Sequence, residues 1–138
     1  MIDIENKVLS VVREAVLAQY PTASVYGEYV EVPASFPCVT VTEDTNYTYV
    51  YSKDDTVAEH HADVQYAINV YSNKTKGKKA ECKDIIALVD SEFRKLGFTR
   101  IMLNPIQNMN DATIYRMYGR YRGEVTVDAD GNYLVYRR

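Results

Sequence analysis

Glu59-His60-His61-Ala62-Asp63-Val64-Gln65-Tyr66-Ala67-Ile68-Asn69-Val70-Tyr71 is the stretch on which the reading of this chain turns. Ala62, Val64, Tyr66, Ile68 and Val70 alternate with His61, Asp63, Gln65, Asn69 and Tyr71, and successive side chains of a strand point to opposite faces. The alternation predicts a β-strand with one face buried and one wet. Beyond it, Ser72-Asn73-Lys74-Thr75-Lys76-Gly77 reads as a turn. Cys82, Ile85, Ile86, Val89, Phe93 and Leu96 then recur at helical spacing, which predicts a helix over about residues 77–96 closed by Gly97.

Working upstream, Ile4, Val8, Val11, Ala15 and Ala18 mark a second helical stripe over about 4–19, with Asp3 as N-cap and Pro21 as its stop. Ser24–Val30 and Cys38–Glu43 are rich in β-branched residues and predict two strands joined by a proline-bounded loop. From Asp44 to Ala58 the chain turns polar, but Tyr47, Tyr49 and Tyr51 fall on one side of an extended segment, which predicts a protruding arm or β-hairpin. Downstream, a strand near Arg100–Leu103, a polar break at 107–111, a long strand from Ala112 to about Val127 and a final edge strand at Tyr133–Tyr136 after Asp130-Gly131-Asn132 complete the pattern. The expected fold is α+β: a mainly antiparallel sheet flanked by two helices, with residues 1–138 forming one domain.

Composition sets the outer limits. The 138 residues are 46% hydrophobic and 25% charged, enough for a core that buries about two-thirds of the unfolded surface without staples. No run approaches the roughly 18 apolar residues of a membrane span, and the amino terminus shows no secretory pattern, so the expectation is a chain with no membrane partner, made in a cytoplasm. Cys38 and Cys82 lack metal-ligand spacing and read as small buried apolar residues. The net charge of −3 hides a division: residues 1–73 carry 11 acids and 3 bases, residues 74–138 carry 8 acids and 13 bases. Either one half attracts the other half of a neighbouring copy, or the two interleave and their fields cancel.

Catalytic signatures are missing from the sequence: there is no phosphate-binding glycine loop, no paired metal-ligand motif and no nucleophile elbow. His60 and His61 are adjacent, so in an extended segment they point apart and cannot chelate together. The expectation is a protein that is not an enzyme, with no catalytic residue, no metal and no cofactor. One pattern stands out: Arg116, Tyr118, Arg120 and Arg122 share a face of the long strand, opposite Met117, Tyr121 and Val125. Three readings of this stripe stay open: a solvated outer face, a contact with carboxylates of a neighbouring subunit, or a contact with nucleic-acid phosphates. The acidic balance argues against a dedicated nucleic-acid binder. Thirteen tyrosines without a tryptophan favour an oligomer, since tyrosine offers large contact area and a water-tolerant hydroxyl.

Taken together, the opening helix, Gly27-Glu28, Val32-Pro33-Ala34-Ser35-Phe36-Pro37-Cys38-Val39, the strand Glu59–Asn73, Gly77-Lys78-Lys79-Ala80-Glu81, Leu96-Gly97-Phe98, Ile114-Tyr115-Arg116 and Arg120-Tyr121 resemble the tail-terminator, or tail-completion, proteins of long-tailed phages and prophages of Gram-positive bacteria. The resemblance implies a structural virion subunit of the tail or neck, assembled in the host cytoplasm. It implies a ring, six-fold in that family, that caps the tail tube, ends its polymerisation and offers the head-joining surface. The implied partners are copies of itself, the tail tube protein, the head–tail connector protein and DNA in the lumen. On this reading Arg116, Tyr118, Arg120 and Arg122 contact a neighbouring subunit or the DNA passage, and Tyr47, Tyr49 and Tyr51 grip the tube or a neighbour. The alternative is a head-completion or connector protein of the neck that meets portal and DNA; a small nuclease and a monomeric accessory module are the other classes weighed.

Overall fold

The computed structural model describes residues 2–30, 33–48, 61–106, 113–127 and 133–136. Tyr49, Tyr51, His60, most of the expected arm and the turn before Tyr133 lie outside them. Among the described residues the chain runs α1 (Glu5–Gln19), β1 (Ser24–Tyr26), β2 (Cys38–Thr48), β3 (His61–Ser72), α2 (Lys78–Lys95), β4 (Thr99–Ile106), β5 (Tyr115–Val127) and β6 (Tyr133–Tyr136). The strands form one sheet in the order β1-β2-β3-β5-β4, with β6 paired to β5. Because β3 occupies one edge of β5 along residues 115–126, β4 and β6 share the other edge, β4 along 116–122 and β6 along 124–127. All pairings are antiparallel except β1 with β2, so the α+β architecture expected from the sequence is the one found.

Both helices lie on one face. Val8, Val12 and Val16 of α1 and Cys82, Ile85, Ile86, Val89 and Phe93 of α2 close over Val39, Val41, Val64, Tyr66, Ile68, Val70, Met117, Tyr121 and Val125 in a single core cluster. At this face the hydrophobic effect favours folding by about 25 cal/mol for each Å² of apolar surface removed from water. Four rings form its centre: Phe93 stacks on Tyr121 at 4.5 Å between centroids, Phe98 meets Phe93 edge-on at 5.3 Å, and Tyr66 meets Phe98 at 5.7 Å. Phe98 reaches that position because α2 ends in a left-handed Gly97 (φ 96°), and the Phe98 N–H donates to the Phe93 carbonyl at 2.9 Å. At the other helix, the Asp3 carboxylate accepts from the Glu5 N–H at 3.0 Å, although the residue at the N-cap position is Ile4.

Three expectations need correction. The strand foreseen at Ser24–Val30 is only three residues long and pairs parallel to β2, Ser24 beside Cys38. Its loop is held by side chains: Ser24 Oγ donates to the Ser35 carbonyl at 2.7 Å, and Ser35 Oγ to the Thr22 carbonyl at 2.9 Å. Second, residues 44–48, read as the base of an arm, continue β2 and pair with β3 as far as Thr48 beside Ala62. A register shift between Glu43 and Thr45 reverses the alternation there, so Asn46 lies on the helix side and Thr45 and Tyr47 on the open side. Third, the polar face of β3 is not wet. Asp63, Ala67, Asn69 and Tyr71 are 7–9% exposed, because longer side chains of the neighbouring strands lie across them.

Candidate functional site

The open face of the sheet collects the polar residues that the sequence singled out. β3 and β5 pair from His61 beside Thr126 to Ser72 beside Tyr115, which sets the even-numbered residues of β5 against the odd-numbered residues of β3. Arg116, Tyr118, Arg120 and Arg122 therefore share the face of Asp63, Gln65, Ala67 and Asn69, while Met117, Tyr121 and Val125 point into the core. The stripe has the geometry that its period of two demands.

Its arginines are engaged within the chain. Arg122 forks onto Asp63, with Nε at 2.9 and 3.1 Å from the two carboxylate oxygens and Nη2 on Oδ2. Such a bidentate pair is the strongest polar contact a guanidinium makes with a carboxylate. Arg116 Nε donates to Asn69 Oδ1 at 2.9 Å, and its guanidinium stands 5.5 Å from the centre of the Tyr71 ring. Arg120 crosses the whole width of β3 to reach Asp44 on β2 at 3.0 Å. Ala67, opposite Arg120, is what permits this: a longer side chain at that position would fill the path. Asp44 in turn points to the open face because it is the extra residue of the β2 bulge.

Satisfaction is incomplete at Arg120. Its Nη2 has Asp44, but its Nε is buried and meets no acceptor among the described residues. Tyr118 lies beside it, with the guanidinium 5.9 Å from the ring centre. Near the same face Tyr47 is 63% exposed, and elsewhere on the surface Tyr29 and Ile101 are 71% and 50% exposed. Tyr47 is thus the described member of the expected tyrosine arm; it stands beside Asp63 at the end of β2. The sequence missed Asp44, Asp63 and Asn69 as partners of the arginines. The signal was present, since Asp63 and Asn69 already occupied the polar parity of β3, but which strand lies beside β3 is not a local property.

Sheet order also converts the charge division of the chain into a division of space. Among the described residues, those up to 73 hold seven acids and two bases, and those from 74 hold five acids and eleven bases. The first set builds α1, β1, β2 and β3, the second α2, β4 and β5, so the two meet mainly at the β3–β5 seam and where α1 touches α2. At that seam Arg122 and Arg120 already pair with Asp63 and Asp44, so part of the division is compensated within the chain.

The two cysteines, Cys38 and Cys82, are free and buried. Burial pushes the Cys82 thiol up to about 12, with Glu81 adding to it, and burial likewise raises Cys38; thiols so shifted are poor nucleophiles at neutral pH. Asp90, beside a groove of about 290 Å³ between α2 and β4, is shared by Arg94 and Arg100, each at 3.3 Å, and accepts from the Tyr121 hydroxyl at 2.9 Å.

No family model matches the chain, and no curated protein does. Among solved structures, the fold is shared with a chain of the virion of a native gene transfer agent (GTA) particle, at a TM-score of 0.62 and 18% sequence identity. The likeness covers 86% of this chain and 91% of that one. At this identity it establishes a common fold.

Proposed function

We propose that the protein is a structural subunit of a phage or phage-like virion, and that copies of it close into a ring that caps the tail tube, ends its polymerisation and offers the head-joining surface. The observation that carries the reading is the fold, common over nearly its whole length to a chain of a gene transfer agent virion. The resemblance of the sequence to tail-terminator proteins supports the finer assignment.

The charge layout supports a ring. A head-to-tail contact joins two different patches of identical subunits and closes when the rotation allows it. The acid-rich first part of the chain and its base-rich second part offer such a pair, and their attraction weakens over the roughly 8–10 Å screening length of physiological salt. Arg120 supports a contact on the open face, because a buried donor left without an acceptor is rare in a finished structure. In this proposal the Arg116, Arg120 and Arg122 face meets a neighbouring copy or DNA in the lumen, and Tyr47 contacts the tube or a neighbour, with Tyr49 and Tyr51 beyond it.

Pull-down against purified tail-tube subunits and against portal tests the assignment. Retention on tube subunits, and ring-shaped particles with them in electron micrographs, are expected. Retention on portal and DNA alone would transfer the chain to the head-completion role. Arg120→Glu is expected to abolish ring formation; rings of normal size and yield would remove Arg120 from the contact.

A further inference from the structure

On the opposite face from the arginines, three carboxylates meet without an ion-pair partner among the described residues. Oxygens of Asp3, Glu5 and Glu43 all lie within 4.8 Å of one another. They come from distant parts of the sequence by a definite construction. Asp3 folds back onto the start of α1, its Oδ1 accepting from the Glu5 N–H. Glu43 is the last residue before the β2 bulge, and Asn46 ties that corner to the chain start, its Nδ2 donating to Glu43 Oε1 at 3.1 Å and to the Ile2 carbonyl at 2.8 Å. The ion pairs among the described residues lie elsewhere. Like charges this close disfavour one another's ionised form.

A second observation points into the same place. Tyr66 has no solvent exposure, and its buried hydroxyl makes no hydrogen bond of ordinary geometry among the described residues. It stands beside this trio: Glu43 is its partner in the β2–β3 register, and the Glu43 carboxylate meets those of Asp3 and Glu5. Glu43 is close enough to influence the phenol, yet falls short of a well-formed bond. The folded chain therefore presents three carboxylates and an unfilled phenol around one point.

We infer that Asp3, Glu5 and Glu43 form a binding site for a hard divalent cation, calcium, with the Tyr66 hydroxyl donating to the ion's water shell. Calcium takes six to eight oxygens at about 2.3–2.6 Å in loose geometry, so oxygens on opposite sides of the ion stand about 4.6–5.2 Å apart. The spacing of the trio fits that span, and water completes the shell. Magnesium demands stricter octahedral placement at about 2.0–2.1 Å, which side chains from a helix start and a strand bulge supply less readily. Bound there, the ion clamps the beginning of α1 to β2.

Thermal melting of the full chain with EDTA and with calcium chloride tests the site. At few ligands and partial exposure the expected dissociation constant is about 0.1–1 mM. At tenfold excess over it, calcium should raise the melting temperature by about 4–6 °C. Glu43→Gln should melt higher than wild type in EDTA, because a repulsive charge is gone, and should lose the calcium gain; the double change Asp3→Asn with Glu5→Gln should lose it too. A wild type whose melting is the same with and without about 10 mM calcium overturns the proposal. So does a calcium gain that persists in both variants, since the ion would then sit elsewhere.

Discussion

Along β3, neighbouring residues are hidden from water by opposite means. Val64, Tyr66, Ile68 and Val70 are fully buried beneath two helices, among hydrocarbon and rings. Asp63 and Asn69, on the other side of the same strand, are 8% and 9% exposed with no helix above them among the described residues; Arg122 and Arg116 cover them from β5. Burial of the first kind drives folding in proportion to area. Burial of the second kind costs desolvation, which the ion pairing offsets only in part, so it adds little to net stability. What it adds is a defined polar relief: arginines fixed at known positions, one of them with a donor still unmatched. The helix side makes the molecule fold; the open side is the one that the proposed function turns toward a neighbour.

The contrast can be broken most severely by alkali. Burial raises the Tyr66 and Tyr121 hydroxyls above the ordinary tyrosine value of 10, and Glu43 and Asp90 respectively raise them further. The folded chain then keeps protons that the unfolded chain releases, so stability falls as pH rises above 10. On the open face burial also raises Tyr71, but Arg116 opposes it. Ultraviolet titration should show Tyr71 ionising before Tyr66 and Tyr121, with the latter two appearing only as the fold is lost. Simultaneous ionisation of all three in the folded chain would contradict the contrast.

Smaller effects follow from substitution. Phe93→Ala removes the ring between Tyr121 and Phe98 and should cost about 3–5 kcal/mol in urea unfolding. Asp63→Ala leaves Arg122 without its fork and should cost about 1–3 kcal/mol, below the buried-pair range because Arg122 is 39% exposed. Replacing Asp63 and Arg122 together by apolar residues of similar size should recover most of that loss, whereas no second change on the helix side should rescue Phe93→Ala so simply. Smallest of all, Arg94→Ala loses an exposed pair with Asp90 and should change stability by no more than about 0.5 kcal/mol.

Much of this was legible before any coordinates. The stripe from Cys82 to Phe93 and the alternations of β3 and β5 each carry their period on their own residues, and each stands where the period put it. The α1 helix was legible too, but its buried face is Val8, Val12 and Val16, and Ala18 of the expected stripe is exposed. What failed was non-local. The bulge at Asp44 breaks the period of two, so a continuing strand looked like the start of an arm. The parallel pairing of β1 depends on a loop held by Ser24 and Ser35, and no alternation announces it. The polar parity of β3 was read correctly as polar but wrongly as wet, because its covering comes from β5, which reaches its side only after α2 and β4 have intervened. For the same reason the arginine stripe was visible while its partners Asp44, Asp63 and Asn69 were not, and the trio of Asp3, Glu5 and Glu43 is no motif until the sheet forms.

The central claim, that the chain ends a growing tail, is tested most directly by electron microscopy of particles produced from a locus lacking it, with tail lengths measured. Tubes of overlong and scattered length, unattached to heads and restored to one length by supplying the chain, are the predicted result. Tails of normal, uniform length joined to heads in its absence would contradict the account.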